Sequence, residues 1–175
     1  MKLGDAHTPS LSRTTNACVA SACAAITGIA PETWVHEFRK VHPKACTARR
    51  GTGPREYLPA LMNRGYTVSR VQPWQNIGYT VPLHVALTIL NRDHPGAHLL
   101  LVIKERRGTH MIAANGFMVV DNTSIGPRWW ADWVECWQNC RQYLRSDWRT
   151  AKLSKPRPAR VLHAYVVKKE LKFLN

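Results

Sequence analysis

Residues 108–122 read GTHMIAANGFMVVDN. Asn115-Gly116 stands between two mostly apolar runs. Asn-Gly in that setting is a strong signal for a two-residue hairpin, because both residues tolerate the positive φ of a type I′ turn. Such a turn sets the register: Ala114 faces Phe117, Ile112 faces Val119, and His110 faces Asp121. Directly opposed residues point to the same side of a sheet. The sequence therefore predicts an imidazole beside a carboxylate, with Asn122 on the other face. An acid beside a histidine holds one tautomer and stabilises the charged ring. The same pair at a hairpin end also serves as a plain structural contact, so a nucleophile elsewhere in the chain must decide between the two.

Working outward, 97–104 (AHLLLVIK) predicts a strand apolar on both faces. With 109–114 and 117–121 it makes a three-stranded antiparallel meander, and double-sided apolarity places this strand centrally. Upstream the pattern is helical. Thr14 to Gly28 (TTNACVASACAAITG) begins with N-cap residue types and ends on a glycine stop. Cys18 falls in the first turn of that helix. The dipole and free N–H groups there stabilise a thiolate. Cys23, on a different face, reads as a small core residue. Pro31 to about Val41 is a second helix with Trp34, Val35, Phe38 and Val41 as its apolar stripe; His36 and His42 lie at the surface. Residues 44–55 (KACTARRGTGPR) are a basic loop without a phosphate-loop ending, and Cys46 has no evident partner there. Pro54–Arg64 is a third helix, Tyr66–Val71 a strand, and Val81–Asn91 a short helix with a structural His84.

Downstream, Trp130, Trp133, Trp137, Cys140 and Leu144 recur at helical spacing over about 128–148. Such a stripe is usually core; the alternative is a stacking platform for bases beside Arg141, Arg145 and Arg149. Cys136 and Cys140 share a helix face, but no second Cys/His pair lies close by, so no metal is expected. Lys152–Arg160 is a basic linker, Val161–Val167 a final strand, and 168–175 a basic end.

The chain has 175 residues, 45% apolar, and a net charge of +14. That length suits one domain: a polar arm over 1–13, then 14–175, with 14–95 mainly helical and 96–175 holding the sheet and the Trp-rich helix. From Thr123 onward 11 Lys and Arg face 4 Asp and Glu, a net +7 that is half the excess. The excess favours acidic partners, namely nucleic acid, an anionic surface or an acidic protein. No signal peptide is visible after Met1-Lys2, and no apolar run approaches the ~20 residues of a membrane span. Five Cys, an odd number, argue against a full disulfide framework, so a cytoplasmic protein with free thiols is expected, without membrane association and without a cofactor.

A Cys at the start of the first helix, followed far downstream by a strand His and an Asp, resembles the papain-like cysteine peptidase superfamily. The compact bacterial and phage members similar to bacteriocin-leader-processing peptidases are the nearest subgroup. Asn16-Ala-Cys18-Val-Ala-Ser-Ala22 matches their nucleophile segment; His110-Met-Ile-Ala, Gly116 and Phe117-Met-Val-Val-Asp121 match their His segment. The resemblance implies an α+β papain-like fold, with the nucleophile helix first and N-terminal helices packed on a C-terminal antiparallel sheet. It implies Cys18, His110 and Asp121 as a triad cleaving a peptide or isopeptide bond, in host cytoplasm if the chain is phage-encoded. The family usually carries an oxyanion Gln shortly before the Cys. No Gln occurs here before Gln72, which leaves Asn16 as the nearest amide. The expected partner is a protein or peptide substrate, with acidic ones favoured. Two other readings stay open: a non-catalytic basic protein binding nucleic acid or a host protein, and another Cys-dependent acyl transferase.

Overall fold

A computed structural model of the chain describes residues 17–47, 51–74, 79–105, 108–121, 126–135 and 159–170. The polar arm, Asn16, Cys136, Cys140, and most of the Trp-rich segment and of the basic linker lie outside the described residues.

The class is α+β. Three helices come first: α1 (Cys18–Thr27), α2 (Pro31–Val41) and α3 (Pro54–Asn63). Then follow β1 (Tyr66–Val71), β2 (Val81–Pro82), α4 (Leu83–Asp93), β3 (His98–Glu105), β4 (Gly108–Asn115), β5 (Met118–Val120), β6 (Arg128–Trp129) and β7 (Arg160–Lys169). Residues 130–135 are helical. The strands form one sheet in the order β1-β7-β3-β4-β5-β6, with β2 also beside β7, and every neighbouring pair is antiparallel. The meander read from sequence is thus the middle of a wider sheet. The last strand inserts between the first and third with an apolar centre, Val161 and Ala164 to Val167 being buried.

Period-two alternation lets β3 serve two cores. Leu99, Leu101 and Ile103 pack with α4, Trp74 and Trp133 on one face, while Leu100 and Val102 pack under α1, α2 and α3 on the other. Helix α1 is buried from Val19 to Ile26. A helix apolar on every side must be interior, and its alanines allow close approach to β4. Gly28, at φ 71°, ends it with its N–H on the Ala24 carbonyl at 2.8 Å. Trp34 Nε1 donates to Thr27 Oγ1 at 3.1 Å and fixes α2 against α1. Glu37, buried on α2, accepts from Lys40 at 3.0 Å and from Arg64 at the end of α3. That bridge joins two helices whose apolar faces alone would permit sliding.

Four local expectations are corrected. Helix α1 starts at Cys18, with Ala17 at the cap and no side-chain capping bond, so the polar residues 14–16 precede the helix start by more than the cap position. Val81 and Pro82 pair with β7, and α4 starts only at Leu83. Arg128 and Trp129 pair with β5 before the Trp-rich helix begins. Cys46 is buried and has a partner, with its Sγ 2.7 Å from Thr52 Oγ1.

The central hairpin is also shifted. Ala113 pairs with Val120, Ala114 with Val119 and Asn115 with Met118, so the loop is Gly116-Phe117. Of the two only Gly116 has positive φ, at 60°, as a type II′ turn requires at its first central position. The slip is two residues, so side-chain parity survives. Continuing the register sets Ile112 opposite Asp121 and makes His110 the diagonal neighbour on the same face. A Cβ on Gly116 would meet open space, so Gly116→Ala pays only the left-handed backbone penalty. The expected loss is about 1 kcal/mol, seen as a lower urea midpoint at unchanged m-value.

Candidate catalytic site

Cys18 is the first residue of α1 and is partly exposed. Its sulfur faces the His110 side chain and the backbone N–H groups of Met111 and Val19, each of which favours the thiolate. The Val19 donor belongs to the first helical turn, where N–H groups have no partner within the helix. The Met111 donor lies on β4, two residues before Ala113, where the described pairing with β5 begins. Two elements distant in sequence meet there, because α1 packs on β4.

His110 Nε2 lies 2.9 Å from Asp121 Oδ2. This bond leaves Nδ1 as the ring nitrogen for the sulfur. The Asp121 side chain is 0% exposed and that of His110 13%. A buried carboxylate is costly unless a cation or donors face it, and the imidazolium is such a partner.

The electrostatics follow from this stacking of opposite charges. Burial pushes the Cys18 thiol up, but His110 and the two amides more than offset it, and the thiol ends below its ordinary value. Burial pushes the His110 ring down; Asp121 and Cys18 raise it further, and the ring ends well above the usual histidine range. Both shifts favour one state, a thiolate facing an imidazolium backed by a carboxylate. The other described thiols behave oppositely. Burial raises Cys23, and burial also raises Cys46 despite its contact with Thr52.

The structure therefore brings together Cys18, His110 and Asp121, while Asn16 lies outside the described residues. Reasoning from residue types missed the two amides on the sulfur, because a backbone N–H carries no residue signature. Gln72 is engaged elsewhere: its Oε1 accepts from Arg70 at 2.9 Å and its Nε2 donates to the Leu162 carbonyl at 2.8 Å. Among the described residues no group of three or more His, Cys, Asp or Glu is placed to hold a metal ion, and no single helix is long and apolar enough to cross a membrane.

Comparison of the chain with protein-family models, with curated proteins and with solved structures finds no match.

Proposed function

We propose that this protein is a papain-like cysteine peptidase, hydrolysing a peptide or isopeptide bond with Cys18 as nucleophile, His110 as general acid and base, and Asp121 as the group that orients and charges the ring. The observation that carries the reading is the His110–Asp121 pair at 2.9 Å, its carboxylate fully buried, with the Cys18 thiol beside the ring that favours its ionisation.

The Cys18 thiolate attacks the acyl carbon, and the carbonyl oxygen becomes an oxyanion. The His110 imidazolium gives its proton to the departing amine as the C–N bond breaks, leaving a thioester on Cys18. Neutral His110 then takes a proton from water; the hydroxide attacks the thioester, the acid leaves, and the proton returns to restore the ion pair. The Cys18 N–H, at the first position of α1, has no carbonyl to meet within the helix and supplies one oxyanion donor. Asn16 is the candidate for the second. The net charge of +14 favours acidic substrates, and the free thiols suit a cytoplasmic setting.

The test is thiol selectivity. Iodoacetamide at pH 6 is expected to alkylate Cys18 at least tenfold faster than Cys23 or Cys46, since only a thiolate attacks. Peptide mapping by mass spectrometry reads this directly. Labelling of Cys18 no faster than the others sinks the reading.

A second reading, nucleic-acid binding without catalysis, draws on one patch. Trp129 is 46% exposed beside Arg128, and its ring lies 5.3 Å from that of Phe117. Base stacking on such a pair requires a salt-dependent shift of DNA or RNA mobility; no shift at low salt ends it.

A further inference from the structure

The face of the sheet beneath α1 continues away from Cys18 in one line. Met111, whose amide holds the sulfur, pairs with Val102, and Val102 pairs with His163 on β7. Directly opposed residues share a face, and Met111 and Val102 both belong to the core under α1. His163 therefore stands on the same face, two strand spacings or ~10 Å from Met111. Arg70, on β1 opposite Tyr165, reaches across to it, with Nη2 2.9 Å from His163 Nδ1.

The chemistry of this contact is constrained. A guanidinium only donates, so His163 Nδ1 accepts; the ring is neutral and its proton sits on Nε2. Burial and the neighbouring Arg70 both lower His163, in keeping with a neutral ring. Arg70 Nη2 also donates to Gln72 Oε1 at 2.9 Å, and Gln72 Nε2 is anchored on the Leu162 carbonyl at 2.8 Å, at the irregularity in the β3–β7 ladder. Arg70 is thus held by two neutral acceptors, and among the described residues no carboxylate pairs with it. It is exposed. Positioning a guanidinium while leaving its charge uncompensated favours an incoming anion, and its planar fork suits a carboxylate.

We propose that Arg70, with His163 beside it, is the subsite that reads an acidic side chain of the polypeptide substrate. This rests on the peptidase reading of Cys18. An extended chain advances ~3.3 Å per residue, so the acidic residue sits about three positions from the bond that Cys18 attacks.

The experiment has two arms, both on the full chain. In the first, the wild-type protein is given Ala-rich octapeptides in which a single Glu, or Gln as control, is moved through every position. One Glu position about three residues from the cleaved bond is expected to raise kcat/KM about fivefold over Gln, the size of one exposed ion pair. Arg70→Glu is expected to turn that preference toward Lys, and Arg70→Gln to erase it. In the second arm, fluorescently labelled Glu and Gln peptides are titrated into Cys18→Ala protein, with and without Arg70→Glu, and anisotropy is read. Thermal melts verify that each variant is folded. Tighter binding of the Glu peptide that vanishes with Arg70→Glu supports the subsite even if no peptide is cleaved, in which case the hydrolytic reading alone falls. Equal binding of Glu and Gln peptides, or a preference that survives Arg70→Glu, overturns the subsite whatever the catalytic result.

Discussion

His110→Ala is expected to lower peptide hydrolysis about 10⁴-fold, the order seen when a member of a nucleophile–base–acid unit is removed. The variant loses two functions at once. The thiol loses the cation that outweighs its burial, so its pKa rises and the thiolate becomes scarce at neutral pH. The leaving amine loses its proton donor. The loss therefore appears in iodoacetamide labelling as well as in turnover, with Cys18 falling toward the rate of Cys23 and Cys46. Labelling at alkaline pH is expected to recover in part, since hydroxide replaces the missing base for ionisation but not for protonation of the amine. Unchanged labelling at pH 6 in a folded His110→Ala protein would show that the helix and sheet amides alone sustain the thiolate.

Asp121→Asn is expected to lower turnover about 10³-fold and to narrow the pH profile from both sides. The sign follows from the shifts. In the native protein the reactive ion pair exists above the depressed pKa of Cys18 and below the raised pKa of His110. Asp121 is a principal group holding His110 up against burial. Without its charge the imidazolium deprotonates at lower pH, which moves the alkaline limb down. The thiol then loses part of its cationic partner and titrates higher, which moves the acid limb up. Asparagine keeps the shape of the fully buried side chain, so the fold is expected to survive. The pH dependence of Cys18 alkylation measures the acid limb and that of peptide turnover the alkaline limb, and an alkaline limb that stays in place would assign His110 to some other control.

Much of the fold was readable because its elements are decided locally. Pro31 and Pro54 occupy the first turns where proline is tolerated. Gly28 and Gly65 supply the left-handed backbone that follows α1 and α3. The unbroken apolar run of β3 could lie only where both faces are covered. The pairing of His110 with Asp121 was legible for a related reason. A strand's side chains alternate with period two, so the two-residue slip of the hairpin altered the partners and left the face intact. A slip of one residue would have put the carboxylate on the opposite face.

What remained closed to inspection of the chain depends on contacts between distant segments. Nothing near Val161 says that β7 lies between β1 and β3, because many apolar strands could fill that slot. Nothing near Cys18 says that its sulfur lies by the Met111 amide, because an amide is present at every non-proline residue. Nor do Arg70 and His163, 93 positions apart, declare themselves a pair before β1 and β7 are laid side by side. Local periodicity and backbone preference settle within a few residues. The meeting of helix tip, strand edge and charge is set by how whole faces bury one another, and that is a property of the assembled core.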